Sequence, residues 1–397
     1  VTGAILTLNA GSSSLKFALF DAVAEPLALS ASMRGEIENF QAEPHMIARG
    51  ADGAVIAERR WPAEQPDLFA VVLGALLAFA EALPGARSLA AVGHRVVHGG
   101  ADHIAPERVT PALMRALHAL TPLDPLHMPH CLAPIAAVSA ARPDLVQVVC
   151  FDTAFHSTMP PVAKHLALPR ALSEAGVRRY GFHGLSYEYI AGRLPAVSPR
   201  LAQGRVITAH LGAGASLCAM HAGRSIETTM GFSVLDGLMM ATRCGSVDAG
   251  VLLYLARQGR SVPEIEDMLY RQSGLLGVSG ISGDVRVLLA SPDARAAEAL
   301  DLFSYRIAAA AGALTSALGG LDGIIFTAGI GEHAAPVRAA VCQRLAWLGV
   351  VIDAEANEAG ANEAGAGLIS RPDSPIEVRI IPTDEEVMIA HHVSFCI

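Results

Sequence analysis

Apolar and polar residues alternate along 4–10 (AILTLNA) and 14–21 (SLKFALFD), on either side of the turn Gly11-Ser12-Ser13. Alternation flanking a glycine and serine turn predicts a β-hairpin. Residues 205–220 (RVITAHLGAGASLCAM) repeat the plan with a one-residue gap. A second correspondence joins 89–100 (LAAVGHRVVHGG) to 323–332 (GIIFTAGIGE), each a short apolar run ending in a glycine-rich turn. In both halves an apolar, alanine-rich helical segment comes first, 68–83 in one and 300–318 in the other. The recurring order of hairpin, helix, strand and glycine turn predicts an internally duplicated α/β chain. Ligand sites favour domain interfaces and strand-end crevices, so the expected site is a cleft between the halves. The low-complexity stretch 354–367 (AEANEAGANEAGAG) reads as a surface turn or helix edge.

The chain has 397 residues, 52% hydrophobic and 17% charged, enough for two or three domains with large cores and incompatible with a disordered chain. Its longest apolar run, 68–80, ends at Glu81, short of the ~18 to 20 residues that span a bilayer, so a buried helix is expected despite a mean hydropathy of +0.40. No basic region or cleavable apolar segment precedes the first strand, so no export signal is expected. The net charge of −9 offers no general attraction to nucleic acid or anionic lipid. The six cysteines form no C-x-x-C pair and read as reduced, mostly buried thiols of a cytosolic protein.

Of 29 basic residues only Lys16 and Lys164 are lysine, so a site that keeps a lysine has a chemical use for a compact charge. The two glycine hairpins offer backbone N–H groups and hydroxyls to phosphate oxygens. Neither is a G-x-x-x-x-G-K-[ST] loop, and no clean G-x-G-x-x-G opens a helix. Cations stand in glycine-rich contexts at His94-Arg95, His98, His183 and Arg243, suited to phosphate or carboxylate and to charge developing on a transferring group. The histidine pairs 94/98 and 127/130 lack the H-E-x-x-H or cysteine partners of a zinc site, and no G-x-S-x-G elbow supports a serine hydrolase. Asp152, after an apolar strand, and Glu385 are candidate magnesium partners, while Thr383 or Asp384 can cap the helix that follows.

The blocks NAGSSSLKF, GHRVVHGG, FDTAFH, YGFHG, HLGAGAS, MGFSVLDGLMMATRCG, FTAGIGE and TDEE follow one another through residues 5–388. In this order they resemble the acetate kinase family, within the superfamily of acetate and sugar kinases, chaperone ATPases and actin. The resemblance implies duplicated actin-like, ribonuclease H-like domains, each a mixed β-sheet flanked by helices. The domains are expected at 1–150 plus 383–397 and at 151–382, the second binding the nucleotide. It also implies a cytoplasmic homodimer that moves phosphoryl groups between ATP and a short carboxylate with Mg²⁺, Mn²⁺ being an alternative.

By position, the resemblance makes Asn9 and Glu385 metal-linked and places Ser12, Ser14 and Lys16 in a phosphate-handling hairpin. It makes Asp152 the essential carboxylate, an orienter or a ligand of metal-bound water, and gives His183 and Arg243 the phosphoryl group in flight. Arg95 would hold the acyl carboxylate, with His127 beside it and Val97, Leu126, Phe182 and Val234 walling the acyl pocket. The nucleotide would lie along His210, Leu211, Gly212, Ala213 and Gly214, along Asp284, Val285 and Arg286, and along Gly329, Ile330, Gly331, Glu332 and His333. Arg286 would stack on the adenine. The chain departs from the family pattern at Ala213 and Met128, each in place of an asparagine, at Val234 in place of a proline, and at Tyr187 in place of a histidine. Losing an amide to phosphate at Ala213 predicts a higher ATP KM. The altered pocket leaves propionate or butyrate as alternative acids, and a non-catalytic nucleotide-binding regulator as an alternative of another class. The acyl-pocket blocks disfavour a sugar kinase.

Overall fold

The computed structural model describes residues 3–11, 14–21, 30–40, 42–64, 67–83, 88–360 and 367–397. The chain divides into two compact units, Val1–Ala154 with Asp384–Ile397, and Phe155–Thr383.

The first unit is built on an eight-stranded sheet of β1 (Ala4–Ala10), β2 (Ser14–Asp21), β3 (Ala31–Glu38), β4 (His45–Gly50), β5 (Val55–Arg60), β6 (Leu89–Val96), β7 (Glu107–Arg108) and β8 (Val146–Phe151), in the order β5-β4-β3-β2-β1-β6-β8-β7. The predicted hairpin is β1–β2, antiparallel, with Asn9 opposite Lys16. β6 runs parallel to both β1 and β8. Central β1 is buried along both faces, whereas edge strand β5 is exposed and carries Glu58, Arg59 and Arg60, charges that discourage pairing with another chain. The helix Leu68–Ala82 buries Val72, Leu73, Leu76 and Leu77 in a core with Leu6, Leu8, Leu19 and Val92. Alternation along β6 turns the next residue, Gly93, to the other face, where a Cβ would stand 2.5 Å from Ile389 and 2.6 Å from Val393 of the helix Glu385–Cys396. Gly93 therefore lets that C-terminal helix lie against the sheet.

The second unit has a six-stranded sheet of β9 (Arg205–Leu211), β10 (Ala215–His221), β11 (Arg224–Thr228), β12 (Gly323–Thr327), β13 (Gly367–Leu368) and β14 (Glu377–Ile380), ordered β11-β10-β9-β12-β14-β13. β9 and β10 form the second hairpin, with His210 opposite Ser216, and β12 is parallel to β9 and β14. The run β3-β2-β1-β6-β8 thus has the connectivity and directions of β11-β10-β9-β12-β14, which establishes the duplicated, mixed-sheet α/β fold. The helix Gly184–Val197 buries Tyr187, Ile190 and Leu194 against Val206, Cys218, Met220 and Ile325. The helix Ala294–Leu318, capped by Asp293 and closed by left-handed Gly319 (φ 68°), packs against β9, β10 and β11.

One local reading changes: the glycine-rich segment expected as a turn after β12 is a short helix, Ala328–His333. The low-complexity stretch begins with a helix, Ala354–Ala359, capped by Asp353, in keeping with a helix edge. Asp384 caps the C-terminal helix by accepting from the Val387 amide at 3.0 Å. None of the six cysteines is in a disulfide, and Cys131, Cys150, Cys218 and Cys342 are buried. No helix among the described residues is long and apolar enough to cross a membrane.

Candidate active site

The candidate residues divide between the two units, and each group has its own geometry. In the first unit, parallel pairing sets Arg95 of β6 beside Cys150 of β8, so Asp152, just past the end of β8, comes within reach of the guanidinium. Arg95 donates to Asp152 Oδ2 from Nε at 3.0 Å and from Nη2 at 2.5 Å. The carboxylate is buried and the guanidinium nearly so. Burial works against the arginine cation, but Asp152 and Glu385 outweigh it, and the Arg95 pKa is raised. Val97, two residues beyond Arg95, is buried; Leu126 and His127 are half-buried before the helix Met128–Ala141. His127 Nδ1 lies 2.8 Å from Oδ1 of the buried Asp124, a partner that its sequence context does not announce.

Asn9, near the end of β1, donates from Nδ2 to Glu385 Oε2 at 2.9 Å and to Glu386 Oε1 at 3.1 Å. Burial, then the neighbouring Glu385 and Asp384 carboxylates, push the Glu386 pKa up. Arg34 offsets part of this charge, 2.5 Å from Asp384 and 3.9 Å from Glu386. Crowded carboxylates beside an amide suit a hard divalent cation, which takes one or two carboxylates and fills its remaining positions with water and phosphate oxygens. Lys16 is exposed on β2, across from Asn9 and Glu36, and faces an open cavity of about 380 Å³ that Arg34, Glu36 and Glu386 also line. Ser14 begins β2, its carbonyl accepting from the Gly11 amide at 2.8 Å, and Ser12 lies outside the described residues.

In the second unit, the tip of the β9–β10 hairpin gathers the strongest candidates. A Cβ built on Gly214 would stand 3.0 Å from Arg243 Nη2 and 3.3 Å from His183 Nε2, so a guanidinium and an imidazole meet at one glycine. His183 reaches this place from a left-handed backbone (φ 59°) at the start of the helix Gly184–Val197. A non-glycine residue held in that conformation is strained, and such strain clusters at functional sites. Its ring stacks on His210 with centroids 4.2 Å apart, and its Nδ1 lies 2.8 Å from Ser216 Oγ. His210 Nδ1 lies 2.8 Å from Ser186 Oγ, itself 2.8 Å from Thr383 Oγ1. Arg243 donates from Nη1 to the carbonyl of Val234 at 2.8 Å, so the residue standing where the family has proline also fixes the arginine. Val234 and Phe182 are buried in this unit. Leu211 is buried, Gly212 and Gly214 are joined by a 3.0 Å backbone bond, and Ala213 is exposed at the tip.

Asp284 caps the short helix Val285–Ala290 and binds Arg286 Nη2 at 2.6 Å, which lowers the Asp284 pKa and leaves a largely exposed guanidinium. Gly329, Ile330, Gly331, Glu332 and His333 all lie on the helix Ala328–His333. Glu332 Oε1 accepts from the Thr383 amide at 3.2 Å.

Beneath this helix lies a residue that sequence reasoning missed. Arg338 is 1% exposed, yet its guanidinium binds the carbonyls of Gly331 (3.0 Å), Glu332 (2.9 Å) and Asn357 (2.6 Å) and the Asn357 side chain (2.8 Å). Burial lowers its pKa. The available hint was an arginine amid Val337, Ala339, Ala340 and Val341 in a helical segment.

Residues 4–391 match the model of the acetokinase family. The chain is 54% identical over 393 residues to the acetate kinase of Rhodopseudomonas palustris (strain TIE-1), covering 98% of this chain and 97% of that one. Among solved structures, a propionate kinase from Francisella tularensis subsp. tularensis SCHU S4 superposes with a TM-score of 0.88 at 34% identity, and the acetate kinase of Porphyromonas gingivalis with 0.85 at 33%. Each comparison covers 98% of both chains.

Proposed function

The chain belongs to the acetokinase family, and from that premise we propose that it catalyses reversible phosphoryl transfer between ATP and acetate, giving acetyl phosphate and ADP. The observation that carries the reading is the meeting of Arg243 and His183 at Gly214. A phosphoryl group passing through a loose transition state spreads charge over its equatorial oxygens, and donors aimed at one point answer that need. A carboxylate oxygen of acetate attacks the γ-phosphorus, the bond to the β–γ bridging oxygen breaks, and its electron pair leaves with ADP. Acetate is already ionised near neutral pH, so no catalytic base is required. Asp152, gripped through Oδ2 by Arg95, is an orienter: it holds the guanidinium that binds the acyl carboxylate.

The nucleotide is assigned to the β9–β10 turn, the Asp284–Arg286 segment and the helix Ala328–His333. Mg²⁺ would be held through Glu385 and its neighbours Asn9 and Glu386, and when bound it supplies charge neutralisation for the phosphate oxygens. Val97, Leu126, Phe182 and Val234 set the acid's length. Valine in place of proline supports propionate as a second substrate, since one methylene is worth only ~1 to 3 kcal/mol of discrimination. We place the enzyme in the cytoplasm, which six cysteines outside any disulfide support.

We further assign it as a homodimer. The helix Ala249–Arg257 (AGVLLYLAR) buries none of its residues, and Val247, Val251, Leu253, Tyr254 and Val262 are exposed near it in sequence. A second copy covering this apolar surface accounts for its composition.

The direct test is ATP formation from ADP and acetyl phosphate with Mg²⁺, followed by luminescence. Activity abolished by EDTA and restored by Mg²⁺ is expected; no ATP at any metal concentration contradicts the proposal.

A further inference from the structure

We infer that Tyr187 is a positioning residue for phosphoryl transfer: through Ser216 it holds His183 in the tautomer that accepts at Nδ1 and carries its hydrogen on Nε2. The inference rests on the reading of His183 as a group that meets the transferring phosphoryl.

Three atoms form the relay. Tyr187 Oη lies 2.5 Å from Ser216 Oγ, and Ser216 Oγ lies 2.8 Å from His183 Nδ1. Tyr187 is fully buried, its ring boxed edge-on by His156 at 5.6 Å and His210 at 6.4 Å and stacked on Phe155 at 6.4 Å. The phenol cannot swing away, and a buried hydroxyl hydrogen must find an acceptor. Its partner among the described residues is Ser216 Oγ, so Tyr187 donates there. With that oxygen accepting from the phenol, we take the Ser216 hydrogen to point to His183 Nδ1, its other neighbour at 2.8 Å, which places the imidazole hydrogen on Nε2. The reverse direction, from Nδ1 through Ser216 to Tyr187, would leave the phenolic hydrogen buried without an acceptor.

Position makes this direction matter. Nε2 is the nitrogen beside Gly214, where Arg243 Nη2 also stands. A hydrogen on Nε2 makes that nitrogen a donor toward developing phosphoryl charge; the other tautomer would present a lone pair to it. A mis-set tautomer is known to disable a catalytic imidazole. Burial keeps the phenol protonated, its pKa raised well above the ordinary value. A histidine here, as in the family pattern, could send its hydrogen either way, whereas a protonated phenol without another acceptor can only donate to Ser216.

The test pairs kinetics with nitrogen-15 NMR of the histidine-labelled full chain, the His183 signals being assigned by their loss in His183→Gln. In the wild type, His183 is expected to carry its hydrogen on Nε2. Tyr187→Phe should give a tautomer mixture and lower kcat about tenfold, with KM for ATP and acetate within twofold. Ser216→Ala, which cuts the relay without touching the aromatic packing, should match it, and the double variant should lose no more than either alone. Tyr187→His, which restores an N–H donor, should recover part of kcat. An Nδ1–H tautomer in the wild type, or full kcat in either single variant, overturns the inference. A wild type without acetate kinase activity would instead remove the functional reading, and the NMR result would still decide the tautomer.

Discussion

At the scale of single residues, the proposed chemistry rests on side chains held by partners far away in sequence. Asp152→Asn leaves the shape of the Arg95 pair but removes its charge, so Arg95 loses its orientation. We expect kcat/KM for acetate to fall at least about 100-fold while nucleotide affinity stays within a few-fold; unchanged kcat/KM would exclude the orienting role. Ala213, exposed at the hairpin tip, can accept an asparagine without repacking. Ala213→Asn is expected to lower the ATP KM about tenfold, the effect of one amide hydrogen bond to a charged phosphate, and an unchanged or higher KM would count against that reading. The sequence context picked out Arg95, Asp152, His183 and Arg243 as cations and a carboxylate in strand-end or glycine-rich segments. It was silent on the Arg95–Asp152 pairing, which depends on β6 lying beside β8, and on the Tyr187–Ser216–His183 relay, which joins a helix to a hairpin.

At the scale of elements, the repeat was legible because alternation and glycine turns are local properties, and the two sheets do share one connectivity. What local pattern could not show is how the helix Ala328–His333 is supported, because Arg338 is satisfied mainly by backbone carbonyls, which leave no trace in side-chain spacing. Arg338→Met fills much of the same volume and strands the carbonyls of Gly331, Glu332 and Asn357. Each buried unsatisfied group costs ~1 to 3 kcal/mol. The variant should therefore lose about 3 kcal/mol or more in urea unfolding and show a raised ATP KM with little change in the acetate KM. Stability within ~0.5 kcal/mol of wild type would show that the guanidinium is dispensable. The glycine-rich stretch after β12 was misread as a turn because glycine favours turns in isolation, and this helix draws its stability from Arg338 and from packing.

At the scale of the whole molecule, two buried histidines set an acid limit. Burial pushes His94 and His156 down to about 4 from 6.5, only partly opposed by hydrogen bonds to the Gln147 side chain and to the Phe182 carbonyl. Above pH 6.5 both states are neutral and these groups contribute nothing. Below it the unfolded chain takes up protons that the native state refuses down to about 4, so stability falls across that window, by about 3 kcal/mol for each histidine. Calorimetry should show Tm declining steadily from pH 6.5 to 4.5; a flat Tm over that range would contradict the assignment. For the proposed homodimer, Leu253→Asp in the helix Ala249–Arg257 should give a monomer by light scattering where the wild type gives a dimer; a variant that stays dimeric would place the interface elsewhere, and a monomeric wild type would contradict the proposed assembly. The measurement that bears most directly on the account as a whole is the initial rate of ATP- and Mg²⁺-dependent acyl phosphate formation, trapped as the hydroxamate, with formate, acetate, propionate and butyrate. The account predicts activity highest with acetate and measurable with propionate. No hydroxamate from any of these acids, by a protein that still binds ATP, would contradict it.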